Sequence, residues 1–164
     1  MEIAALPYVD EHDTVIAADA GTVWRGIGDA LDRSGLGPGY ARLVGCADRT
    51  ASGPRPPAEG STMPGFRVAS ADPGRELVLI GRHYFSTYAL VFRLDGAGPG
   101  RTRLRAETRA RFPGPGGGLY RLLVISSGGH AVLTGRLLSA IRRRAEQGRG
   151  RSGRRSGREP AQER

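Results

Sequence analysis

Two runs of the chain, Tyr84 to Leu94 and Arg101 to Phe112, alternate with a period of two. Tyr84, Ser86, Tyr88, Leu90, Phe92 and Leu94 share one face of a run that closes at DGAGPG. Leu104, Ala106, Thr108, Ala110 and Phe112 share one face of the next, while Arg103, Arg105, Glu107, Arg109 and Arg111 take the other. This pattern predicts antiparallel strands, wet on one side and covered on the other. Two further strand-like runs precede them, Phe66 to Ala71 and Glu76 to Arg82, separated by the turn Asp72-Pro73-Gly74. Residues 10–18 read as a first strand, with Thr14, Val15 and Ile16 supplying β-branched character.

Asp19 is placed to cap a helix on which Val23, Trp24, Ile27 and Leu31 form an apolar face, ended by Gly35, Gly37, Pro38 and Gly39. Tyr40 to Cys46 fits either half a strand or a brief helix, and residues 47–62 are loop chemistry throughout. After Gly116, Leu119, Leu122, Leu123, Leu133, Leu137 and Ile141 recur at helical intervals. They predict a long C-terminal helix lying on the covered face of the sheet, with Leu133 and Leu137 in the seam. Arg142, Arg143 and Arg144 suit the negative end of its dipole. The stretch Ser126-Ser127-Gly128-Gly129-His130 interrupts the stripe, and two adjacent glycines there predict a bend. The expected architecture is α+β: a curved antiparallel sheet around a long C-terminal helix. Ala106, Thr108 and Ala110 are small for a close-packed interior, which predicts an apolar cavity between sheet and helix.

Composition sharpens this picture. From Gly148 onward there is no Val, Ile, Leu or aromatic residue, so the chain divides into a domain over 1–147 and an Arg/Gly-rich tail over 148–164 expected to be disordered. All 25 basic residues are arginine, which with 26 glycines reads more simply as codon bias than as adaptation to nucleic acid. The net charge is +9; the tail's six arginines and two glutamates account for +4, leaving about +5 on the body. Nucleic acid or anionic lipid remains a secondary partner for that tail. A single cysteine, Cys46, excludes an internal disulfide and a cysteine-based zinc site. The acidic N-terminal stretch does not resemble a signal peptide, and no run approaches a membrane span. The expected location is cytoplasmic.

The order strand, helix, loop, antiparallel strands, long C-terminal helix resembles the START/Bet v 1-like (SRPBCC) superfamily. The opening VIAADAGTVWRGI is similar to that superfamily's strand-to-helix start with a Val-Trp pair. The strings GRHYFSTYALVFRL, TRLRAETRARFPG and LYRLLVISSGGH resemble a polyketide cyclase/dehydrase-like subgroup of bacterial proteins. The resemblance covers residues 10–146 and implies the helix-grip fold. It implies a role in binding a small apolar or polycyclic molecule, as a carrier, or alternatively a cyclase, aromatase or dehydratase activity. Lipid carriers belong to the same superfamily, so lipid binding is among the implied roles. The Gly/Pro-rich loop departs from the pattern, since the expected hairpin strands after the first helix are not distinct.

No strong catalytic motif is present. The glycine runs DGAGPG and PGPGGG lack the Lys-Ser/Thr of a phosphate loop, and no cofactor is expected. His12, His83, His130 and Glu107 lack ligand spacing, so no metal site is expected. The candidate ligand-binding set is Trp24, Phe66, Arg82, Tyr88, Phe92, Ala106, Thr108, Tyr120, Ser127 (or its neighbour Ser126) and His130. Trp24, Phe66, Tyr88 and Phe92 are either core or pocket wall. Arg82 suits a ligand carboxylate or phenolate, or a cross-strand pairing with Glu76 or Glu107. His130 and Tyr88 are the catalytic candidates, His130 either as a proton-transfer group or, more simply, as a buried histidine bonded to a nearby backbone carbonyl. Glu107, on the charged face, is not a candidate base.

Overall fold

A computed structural model describes residues 3–34, 38–126 and 128–155. Six antiparallel strands form one open sheet: β1 (Tyr8–Ile16), β2 (Thr62–Met63), β3 (Phe66–Asp72), β4 (Glu76–His83), β5 (Ser86–Gly96) and β6 (Thr102–Arg111). Their spatial order is β1-β6-β5-β4-β3-β2, so the first strand crosses to pair with the last. Between β1 and β2 lie helix α1 (Ala20–Ser34) and the short helix α2 (Pro38–Leu43). The segment left open between strand and helix is therefore helical, and β2 emerges as a two-residue strand at the end of the long loop.

Local chemistry accounts for these elements. Asp19 Oδ1 accepts the Thr22 amide hydrogen at 2.9 Å and so caps α1. Val23, Trp24, Ile27 and Leu31 are buried on its inner face. The loop folds back on α1 through Arg55, whose Nε donates to Asp32 Oδ1 at 2.7 Å.

Inner-face residues alternate as expected on β5 and β6, and Leu90, Phe92, Leu94, Leu104, Ala106 and Thr108 are buried. The outer face is drier than its charges suggest, because Val78, Ala89, Val91 and Glu107 are also buried. Arg93 bridges Glu76 and Glu107 across β4, β5 and β6, and Arg109 closes on Glu107 from the same strand. Long side chains held in this way cover apolar surface with their stems while keeping their charges paired.

The C-terminal region differs most from expectation. It is broken into α3 (Gly114–Arg121), a π-helical turn (Leu122–Ser126) and α4 (Gly129–Arg155). Gly128, at φ +76°, sits at the predicted break. A positive φ there changes the helix direction, so leucines on either side no longer share one face. Leu119, Leu122 and Leu123 are exposed, and Leu133, expected in the seam, is 56% exposed. The buried face of α4 is instead Thr134, Leu138, Ile141 and Ala145, with Leu137 at its margin. This face meets α1 closely: a Cβ on Gly26 would lie 3.3 Å from the Ile141 carbonyl oxygen. Helix α4 also continues to Arg155, eight residues into the segment expected to lack structure, and the remainder of that segment lies outside the described residues.

Candidate functional site

The inner face of the sheet has two ends of different character. At one end Trp24, Phe92 and Ala106 are buried in the hydrophobic core with Ile16, Ile27, Leu104 and Ile141. The expected cavity wall here is core, and the small Ala106 faces Phe92 across the β5–β6 ladder. A large side chain on one strand opposite a small one on the next fills the interior to native density. Two surface hollows are described and neither involves these residues. One, of ≈ 380 Å³, lies between β1 and α4 beside His12 and Leu138; the other, of ≈ 430 Å³, lies at the β5–β6 turn.

At the other end polar and aromatic side chains gather. Tyr88 on β5 lies opposite Gly81 on β4 and Ala110 on β6. Its hydroxyl donates to the Gly65 carbonyl at 2.6 Å, and its ring meets Phe66 edge-on at 5.2 Å. His83, at the end of β4, lies 5.4 Å from the Tyr88 ring and 4.9 Å from Tyr120 of α3. Tyr120 in turn stacks on Phe85 at 5.6 Å and 12°. Helix α3 reaches this position because Gly117 has no side chain; a Cβ there would come 2.7 Å from the Phe112 carbonyl carbon.

The hydrogen bonds of His83 fix its tautomer. Nδ1 accepts the Phe85 amide hydrogen at 3.1 Å, so in the neutral ring the proton is on Nε2, which donates to Ser86 Oγ at 3.0 Å. Burial pushes the His83 imidazole below its ordinary range and keeps it neutral.

One rung away, His130 enters from the first turn of α4. Its Nε2 lies 3.0 Å from Thr108 Oγ1, 3.5 Å from Thr134 Oγ1 and 3.5 Å from Asp10 Oδ1. Regular pairing of β1 with β6 from Ile16 back to Asp10 sets Asp10 opposite Thr108, on the inner-face parity of Thr14 and Ile16; the register shifts only beyond it, at Tyr8. Asp10 Oδ1 is buried without a hydrogen-bond partner, while Oδ2 is 3.3 Å from His12 Nε2. His130 is thus held by a side-chain hydroxyl rather than by the backbone carbonyl of the simpler expectation. Among the described residues, no three or more His, Cys, Asp or Glu groups are arranged to hold a metal ion.

Of the expected set, Phe66, Tyr88, Thr108, Tyr120 and His130 therefore come together at this end, and Trp24, Phe92 and Ala106 do not. Arg82 is on the outer face of β4, one position out of phase with Gly81 and His83, and is exposed. Nor does it take either expected partner, since Glu76 and Glu107 are both held by Arg93. Ser127 lies outside the described residues, and its neighbour Ser126 is exposed at the end of the π-helical turn. Sequence reasoning missed His83, Ser86 and Asp10 as members. The signal for His83 was its phase, because it shares the inner-face parity of Leu77, Leu79 and Gly81.

No protein-family model matches the sequence, and no curated protein matches it either. Solved structures do. A protein from Nitrosomonas europaea superposes with a TM-score of 0.56 at 15% identity, over 86% of this chain and 96% of that one. A point mutant of norcoclaurine synthase from Thalictrum flavum, in complex with a transition-state analogue, gives 0.52 at 12%, over 85% and 94%. The di-domain ARO/CYC BexL of the BE-7585A biosynthetic pathway gives 0.50 at 12%, over 84% of this chain and 46% of that longer protein. At these identities the likeness establishes the fold: the chain adopts the Bet v 1-like helix-grip fold.

Proposed function

We propose that the protein binds a small apolar or polycyclic molecule at the α3 end of the sheet's inner face. The observation that supports this reading is the coincidence there of four aromatic rings with two histidines, Ser86 and Thr108, beneath a helix that turns its leucines outward. Ligand sites combine an apolar wall with a few converging polar groups in this way. Tyr120 forms part of the wall, and Tyr88, held by the Gly65 carbonyl, keeps a fixed ring edge toward the site. Neither of the two hollows reaches this site, so binding in this reading requires α3 to move away from Phe85.

A specific observation favours the cyclase or aromatase reading as a second possibility. His130 Nε2 and Asp10 Oδ1 are 3.5 Å apart, which sets a carboxylate where an imidazolium formed by proton abstraction needs a counter-charge. A flexible carbonyl-bearing chain folded against Tyr88 and Tyr120 would present acidic C–H groups to that imidazole.

Fluorescence titration of the full-length protein with an apolar naphthalene dye tests the binding reading. Tyr120→Ala should weaken binding about tenfold, in keeping with loss of a buried aromatic anchor. Equal affinity in the variant places the dye elsewhere and overturns the site. Incubation with a polyketone thioester then separates the two readings: a cyclised product lost in His130→Ala, with dye binding kept, supports the enzyme.

A further inference from the structure

Apart from Leu43, every large aliphatic side chain that is more than half exposed among the described residues comes from one stretch of chain. Leu119, Leu122, Leu123, Val132 and Leu133 are 55–64% exposed. The first three are spaced i, i+3, i+4 and so project from one side of α3 and the π-helical turn. Val132 and Leu133 share a side of α4 with the exposed Arg136, and the Gly128 turn joins the two limbs. Residues 108–145 contain seven arginines and no aspartate or glutamate. Arg109 and Arg142 pair with Glu107 and Glu146 just outside the stretch, while Arg121 and Arg136 are exposed beside the leucines.

We propose that this α3–π–α4 elbow docks on an anionic phospholipid bilayer, with the leucines in the acyl boundary and Arg121 and Arg136 at the phosphates. The charge of the stretch selects this occupant. A segment that lies in the interface needs an aliphatic face together with cations, and it excludes carboxylates from the anionic surface. Nucleic acid would reward the arginines and stacking rings but leave five aliphatic side chains in water. The contact is peripheral, since no described helix is long and apolar enough to cross a membrane. The inference is independent of the ligand site, and failure of either leaves the other standing.

Sedimentation of the full-length protein with phosphatidylcholine vesicles, with and without phosphatidylglycerol, tests the docking. L122S/L123S leaves the net charge unchanged, so the arginine-rich C-terminal segment contributes equally to parent and variant. The double variant should bind phosphatidylglycerol vesicles at least about tenfold more weakly, with an unchanged thermal melt because both side chains are exposed. R121Q/R136Q should weaken binding severalfold and flatten its salt dependence. Unchanged binding by L122S/L123S overturns the proposal, because arginines alone then hold the vesicle. So does a parent that is dimeric in solution, ignores both vesicle types and becomes monomeric on the leucine substitutions. V132S, on the other limb, should show the same direction of change, and vesicle binding by V132S equal to the parent's would confine any contact to α3 and overturn the elbow.

Discussion

The Tyr88 hydroxyl reaches the Gly65 carbonyl, 2.6 Å away, by passing over Gly81 of the neighbouring strand. A Cβ on Gly81 would lie 2.3 Å from the Gly65 oxygen and 2.4 Å from the Tyr88 ring, both impossible contacts. The glycine therefore positions the tyrosine. Gly81→Ala should destabilise the protein by about 2 kcal/mol or more, since either the ring or the β2–β3 connection must shift. Tyr88→Phe should cost about 1 kcal/mol, the ordinary value of one hydrogen bond. Chemical denaturation of both variants checks the order; a milder effect for Gly81→Ala would mean that the ring has room to move.

Helix α4 gives a second contrast. Leu138 is buried against the core while Leu133 is exposed. Leu138→Ala should lose about 2–5 kcal/mol, as a buried leucine does when a cavity replaces it. Leu133→Ala should stay within about 0.5 kcal/mol, as surface changes do. Urea melts that reverse this order would restore the seam that the spacing of leucines alone predicts.

That seam shows where sequence reasoning stops. The period-two runs placed β3 to β6 closely, because burial of one face of a strand fixes the phase of every residue in it. The helical stripe from Leu119 to Ile141 read equally well, yet periodicity says which residues share a helix face and not what that face meets. Gly128 resets the phase between the two limbs, and the close approach at Gly26 turns α4 toward α1. Tyr88 and Thr108, by their parity, and Tyr120 and His130, by their place on the C-terminal helical segment, were legible as candidates, and the structure brings them to one end of the sheet. Asp10 was missed although the parity it shares with Thr14 and Ile16 sends it to the inner face, opposite Thr108. Arg82 stands apart because its phase, one residue off that of Gly81 and His83, sends it to the outer face.

The outer face carries a pH-dependent element. Hydrogen bonds from Arg93, then from Arg109, hold the Glu107 carboxyl below its ordinary value of 4.5 against the opposing effect of burial. A depressed carboxylate contributes stability that is present above the unfolded value and lost as pH falls through the folded one. Acid titration of stability should therefore show a component below about pH 4.5 that Glu107→Gln removes. Because Arg93 stays partly open to solvent, the variant should cost only about 1–2 kcal/mol at neutral pH. A pH profile in Glu107→Gln identical to the parent's below that point would place the acid sensitivity in other carboxylates.

His83 gives the opposite end of the pH scale. Its Nδ1 accepts the Phe85 amide hydrogen, so a second proton has to displace that bond and charge a buried ring. Burial lowers its affinity for that proton from the ordinary value of 6.5, whereas the unfolded chain keeps the ordinary value. Between the two values the unfolded state binds more protons, and stability rises with pH. Lowering the pH from neutral should therefore begin to destabilise the fold near 6.5 and stop doing so once the folded ring is also protonated. His83→Asn tests this cleanly, because the asparagine oxygen takes the place of Nδ1 as acceptor while removing the titration. Urea melts at about pH 7.5 and about pH 5.5 should show a smaller difference in the variant than in the parent. His12 and His130 are present in both proteins, so the difference between the two slopes belongs to His83. Equal slopes would mean that the ring takes up its proton as readily in the folded chain as in the unfolded one, and the Phe85 and Ser86 contacts would then not hold it neutral.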